Sequence, residues 1–182
     1  MVYSYGEMMD KYNDDYNLKI AMEKEEVYKI SRGIYADKKN VNPMLVYAKK
    51  YPNTVYTMDS AFYYYDLTDV IPDKLHIATS ANARSFNNKD IVQYYMDEKL
   101  LNIGKEMIKL NNSDDTVYMY NKERLLIELI RKRNKIQFDY YKEIINNYRN
   151  IVDELDMNKI EEYLDCFKNS DKIFEIMQRE VF

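Results

Sequence analysis

The stretch Val27-Tyr28-Lys29-Ile30-Ser31-Arg32-Gly33-Ile34-Tyr35-Ala36-Asp37 decides how the N-terminal part is read. Its first five residues alternate with period two, Arg32-Gly33 offers a tight turn, and a second short apolar run follows, which together predict a β-hairpin. Working back from it, Leu18, Ala21 and Met22 fall on one face of a helix that Asp14 or Asp15 can cap. Earlier still, Met8, Met9 and Tyr12 follow Gly6 and predict a first short helix ending near Asn13. Helix, helix, hairpin over residues 3–37 is the order of a reduced winged helix-turn-helix.

Working forward, the polar segment 37–42 marks a boundary, giving an N-terminal unit at 1–40 and a body at 41–182. A helix through Val46 and Tyr47 is expected after Pro43, then an extended piece at 54–56. Asp59 or Ser60 is positioned to cap a helix through Ala61, Phe62 and Tyr65 that stops before Pro72. Residues 75–79 and 91–95 read as strands, and 106–110 with 116–120 as a strand pair around a turn at 111–115. From residue 121 helical periodicity takes over in four stripes: Leu125, Leu126, Leu129 and Ile130; Phe138, Tyr141, Ile144, Ile145 and Tyr148; Met157, Ile160, Leu164 and Phe167; Ile173, Ile176 and Met177. Each stripe is expected in the core. The class is therefore α+β: a small winged helix, a mixed α/β segment at 41–120, and a bundle of about four helices at 121–182.

Composition narrows the chemistry. The chain has 182 residues, 46% of them hydrophobic, and a formal charge of −4. No run approaches the ~18 consecutive apolar residues of a membrane span, and no secretory signal opens the chain, so the expectation is a cytoplasmic protein without membrane contact. One cysteine, Cys166, excludes an intrachain disulfide and a cysteine zinc site, and it is expected as a core thiol. The lone histidine, His76, is expected to be structural. No metal, cofactor or small-molecule substrate is expected.

If the N-terminal unit reads DNA, its second helix presents Tyr16, Asn17, Lys19, Ile20 and Lys24 opposite the apolar face, and Arg32 stands at the hairpin tip within reach of a phosphate or the minor groove. Residues 1–40 hold seven Lys or Arg against eight Asp or Glu, a net of −1, so nucleic-acid contact has to be local. A protein-contact role for the same unit stays open.

Catalytic patterns are sparse. Asp73 and the later Asp97-Glu98-Lys99 imitate a metal-dependent nuclease, but that chemistry needs the second acid and lysine on a central strand, and here they read as helix or loop. Ser113-Asp114-Asp115 falls in a turn without the glycine that nucleotidyl transfer requires, and Gly6, Gly33 and Gly104 are isolated, so no phosphate loop exists. The expectation is a protein that is not an enzyme.

Three segments in order resemble the abortive-infection antitoxin family AbiEi, the antitoxin half of type IV toxin–antitoxin systems. They are VYKISRGIYAD at 27–37, similar to the family's wing; MDSAFYYYDLTDVIP at 58–72, similar to its Ser-Ala-aliphatic-Tyr-Tyr segment; and YNKERLLIELIR at 120–131, similar to its Tyr-x-x-Glu-Arg-Thr-Leu helix start. Leu126 stands where the family usually has Thr, and Glu128 near its usual Asp. The resemblance implies a winged helix that represses its own operon at inverted repeats and a C-terminal body that neutralises a nucleotidyltransferase toxin, without requiring a stable complex. Carried across, the wing falls on Lys29, Ser31, Arg32 and Gly33, and the body motif on Ser60, Tyr120, Glu123 and Arg124. The residues themselves read more simply: Glu123 with Arg124 as a helix-start ion pair, and Ser60 as a cap.

Overall fold

The computed structural model describes residues 1–110 and 114–182; Asn111 to Ser113 of the expected turn lie outside the described residues. Among the described residues the chain is mixed α+β, with nine α-helices and two sheets. It divides into two compact units, 1–54 with 107–118, and 55–106 with 119–182.

The first unit opens with a strand the sequence reading missed, β1 (Val2–Ser4). Three residues are too few for a period to show, and β1 exists because it pairs antiparallel with β3 (Ile34–Ala36), Val2 opposite Ala36. β2 (Tyr28–Ser31) pairs with the other edge of β3, as the hairpin pattern required, and the sheet order is β1-β3-β2. Gly33 closes the hairpin with φ +74°, a conformation costly for any residue with a Cβ.

Between the strands lie α1 (Tyr5–Tyr12) and α2 (Asp15–Glu23). A capping box starts α1: the Ser4 hydroxyl accepts from the Glu7 N–H, and the Glu7 carboxylate accepts from the Ser4 N–H. Asn13 ends it in the left-handed region at φ 68°, and Asp14 then caps α2 by accepting the Asn17 N–H at 2.7 Å. The apolar faces of these elements meet in a core of Met8, Leu18, Val27 and Tyr35. α3 (Pro43–Lys50), with Asn42 as N-cap and Pro43 in its first turn, packs on β1 and β3 through Leu45.

The five-stranded sheet has the order β6-β5-β4-β8-β7, formed by β4 (Val55–Tyr56), β5 (Leu75–Ser80), β6 (Ile91–Met96), β7 (Lys105–Lys109) and β8 (Thr116–Tyr120). β4 runs antiparallel to β5 and parallel to β8, and β5 runs parallel to β6. α4 (Met58–Tyr64) corrects one expectation. Its N-cap residue is Thr57, and Ser60 is no cap: it lies inside the helix, buried, its hydroxyl accepting the His76 N–H at 2.8 Å. The reason is the shortness of β4, whose strand pairs with β5 reach only as far as Ile77. The His76 N–H therefore takes a side-chain acceptor.

α5 (Glu98–Asn102) follows β6 and is capped by Asp97. α6 (Lys122–Lys132) is the central helix: every residue from Glu123 to Ile130 is buried, because α4, α8 (Met157–Leu164) and α9 (Ser170–Glu180) all pack on it. A stripe was expected; a helix enclosed all round was found. α7 (Phe138–Asn150) buries Tyr141, Ile144, Ile145 and Tyr148 but leaves Phe138 68% exposed, so that residue is not core. Met157 is likewise partly exposed, and Phe167, though buried, lies beyond the end of α8. Cys166 is a further correction: the turn after α8 turns it outward, and the thiol is exposed. Among the described residues no helix is long and apolar enough to cross a membrane.

Candidate nucleic-acid interface and the buried arginine centre

The expected DNA-reading residues all lie on the first unit. Tyr16, Asn17, Lys19 and Lys24 are exposed along α2 and at its end, and Lys29 and Arg32 are exposed on the hairpin. Ser31 is half-buried, its hydroxyl enclosed and without a hydrogen-bond partner among the described residues. Asn17 is partly committed, since its amide donates to the Tyr12 carbonyl at 3.2 Å and so ties the α1–α2 turn together. Lys19 stands 4.0 Å from Glu23 one turn on, a pairing that competes with any phosphate. Tyr16 is 72% exposed, and Arg32 stands exposed at the hairpin tip.

The second set behaves differently, for it is buried. Arg124 is fully enclosed, and its guanidinium lies 4.8 Å from the Tyr120 ring centre and 4.4 Å from that of Phe167. Its partner is Glu128, one turn along α6, at 2.8 Å; Glu123, its sequence neighbour, faces elsewhere and accepts the Asp156 N–H at 3.1 Å. This corrects the expected Glu123–Arg124 pair. Adjacent helix positions diverge by about 100° in direction, whereas positions four apart share a face.

Glu128 also receives Arg131 at 2.7 Å, and Lys132 stands 3.8 Å from its other oxygen. Among the described residues two of the guanidinium nitrogens, Nε and Nη1 of Arg124, have no hydrogen-bond partner, and the aromatic faces take that role. Burial lowers the Arg124 pKa, with Glu128 opposing it. Tyr120, its own pKa raised by burial, donates to the Leu101 carbonyl at 3.2 Å. Gly104 permits this closeness: a Cβ there would meet the Arg124 Cβ at 2.4 Å, and its φ is +67°.

The structure thus brings Tyr120 and Arg124 together, and sets Ser60 and Glu123 to separate backbone tasks. Glu128, noted in the sequence only for standing near the family's usual Asp, is the residue to which no role was given. Its i+4 spacing from Arg124 inside an apolar run was the available signal.

The lone histidine belongs to another polar chain. His76 Nε2 lies 3.4 Å from Asp59, and Tyr94 contacts Nδ1 at 3.1 Å. Burial lowers the His76 pKa and pushes Tyr94 up to about 12. The nuclease pattern does not assemble on a strand, because Asp97 is the α5 cap and Lys99 lies within α5. Among the described residues no group of three His, Cys, Asp or Glu side chains could hold a metal ion.

Fold and site together define an α+β chain with an exposed helix-and-hairpin face and a second unit organised around a buried ion pair. Compared with models of protein families and with curated proteins, the chain finds no match.

Proposed function

We propose that this chain is the antitoxin of a type IV toxin–antitoxin pair acting in phage defence, resembling AbiEi, which represses its own operon through a winged helix-turn-helix. Neutralisation of a nucleotidyltransferase toxin is assigned to the remainder of the chain. The observation that carries the reading is the antiparallel order β1-β3-β2 with α1 and α2 between the strands in sequence, which leaves Tyr16, Lys19, Lys24 and Arg32 exposed. α2 is then the helix entering a major groove, and Arg32 the wing residue reaching phosphate or minor groove. The ordered likeness of 27–37, 58–72 and 120–131 to the antitoxin family supplies the rest.

A second reading, contact with a protein in place of DNA, is favoured by the net of −1 over residues 1–40 and by the commitment of Asn17. Titrating the protein against the duplex upstream of its own gene separates the two. Repression predicts binding tighter than to random duplex and weakening with salt. Equal, salt-insensitive affinity for both duplexes rules the repressor role out. Co-expression with a neighbouring nucleotidyltransferase tests the antitoxin role, with restored growth as the expected result.

A further inference from the structure

Two open grooves in the second unit carry a chemistry that the proposed function leaves unused. The first, about 780 Å³, is walled by Lys99, Arg131, Arg133, Lys168 and Lys172, with Asp97 as its one acid among the lining residues. The second, about 440 Å³, adds Lys142 and Arg149, with Glu180 as its one acid. Arg133 lines both, so the two grooves adjoin at its side chain and together are termed the path. In a chain of net charge −4 this concentrates cations on one track.

The two acids are already occupied. Asp97 caps α5 by accepting the Lys99 N–H, and Glu180 accepts the Tyr141 hydroxyl at 2.6 Å and pairs with Arg179. The lysines are not: none of Lys99, Lys142, Lys168 and Lys172 has a carboxylate within ion-pair distance among the described residues, whereas Lys49 and Lys122 are paired at 2.7 Å. Unneutralised ammonium groups side by side repel one another, and an anionic ligand removes that penalty. Phe138 stands in the second groove 68% exposed, with the Lys142 ammonium 5.3 Å from its ring centre.

We infer that this path binds single-stranded nucleic acid, its phosphates along the lysines and a base stacked on Phe138. Cations spaced along a groove beside an exposed ring are what a strand with free bases uses. A duplex keeps its bases stacked inside and leaves Phe138 without a partner, and an acidic peptide has no base to place there. The inference is independent of operator binding, which is assigned to residues of the other unit.

The test is fluorescence anisotropy of the full chain with a labelled oligouridylate of about 12 nucleotides. Binding is expected at low salt, with a log–log salt slope of about −3 for four phosphates at about −0.7 each. Lys168→Glu combined with Lys172→Glu weakens it by about tenfold or more, and Phe138→Ala by about tenfold, within the range measured for base–aromatic stacking. All three residues are exposed, so circular dichroism of the variants stays unchanged. Arg32→Ala leaves this binding intact.

Cys166, exposed and lining the first groove, supplies a readout on the unmutated protein: the oligonucleotide slows its alkylation by iodoacetamide. No binding at low salt, or binding that the lysine reversals leave unchanged, overturns the inference. So does protection of Cys166 by polyglutamate and not by the oligonucleotide, which assigns the groove to an acidic protein. A duplex that binds as tightly with the same dependence on Lys168 and Lys172 overturns it as well, and assigns the path to operator contact.

Discussion

Glu128 is the buried acid at which three cations of the second unit, Arg124, Arg131 and Lys132, converge. It neutralises Arg124 in a site where neither side chain reaches solvent. Replacing it by Ala leaves a buried guanidinium without its counter-charge, and a loss of about 3–5 kcal/mol is expected in urea unfolding. The paired replacement Arg124→Met with Glu128→Leu removes both charges and is expected to recover most of that loss. Gly104→Ala is expected to destabilise by more than the ~1 kcal/mol of an ordinary left-handed glycine, since the new methyl meets Arg124 Cβ at 2.4 Å. Thermal melts of the variant against the parent chain measure it.

His76 brings a pH dependence whose sign is fixed by its surroundings. Burial lowers its pKa below the ordinary 6.5, with Lys74 acting in the same direction and Asp59 against them. The unfolded chain therefore binds the proton more readily. Stability is full above about pH 6.5 and falls as pH drops through the window below it, by at most about 1.4 kcal/mol per pH unit for one proton. Urea midpoints compared at pH 7.5 and 5.5 should show the fall, and His76→Gln should flatten it.

At the scale of elements, α2 owes its start to Asp14, and Asp14→Ala is expected to cost about 1 kcal/mol of stability. Asn17 ties α2 to the last residue of α1, so its replacement is expected to alter stability as well as any base contact. Arg32 does neither, being exposed on the turn. Arg32→Ala is accordingly expected to weaken operator binding in gel-shift titration while leaving the melting curve in place. A variant that binds unchanged removes the hairpin from the interface. α6 is the opposite kind of element, enclosed along eight consecutive residues, 123–130, and any polar substitution among its leucines is expected to unfold the unit.

At the scale of the whole molecule, the first unit is discontinuous, completed by residues 107–118. The Val2 N–H donates to Asp115 at 2.9 Å, so β1 is held partly by a residue more than a hundred positions away. A fragment of 1–54 lacks that acceptor and has a core of few residues. It is expected to melt broadly and well below the full chain by far-ultraviolet circular dichroism, and a sharp transition at the parent temperature would show the segment 107–118 to be dispensable.

What the sequence determined by itself was local. The hairpin over 27–37, the caps at Asn13 and Asp14 and the four C-terminal helices follow from periodicity and turn residues, which act over a few positions and can be read there. The exposed members of the candidate interface, Tyr16, Lys19, Lys24, Lys29 and Arg32, were legible for the same reason, since a helix face and a hairpin tip are local geometry. Only the tertiary structure decided the rest. β1 exists through pairing with β3, Ser60 serves a strand rather than a helix end, and packing buried the Arg124–Glu128 pair whose i+4 spacing let the two side chains meet. The lysines of the groove, spread from 99 to 172, form a charged track only once folding brings them side by side, a property that composition averages to a net of −4.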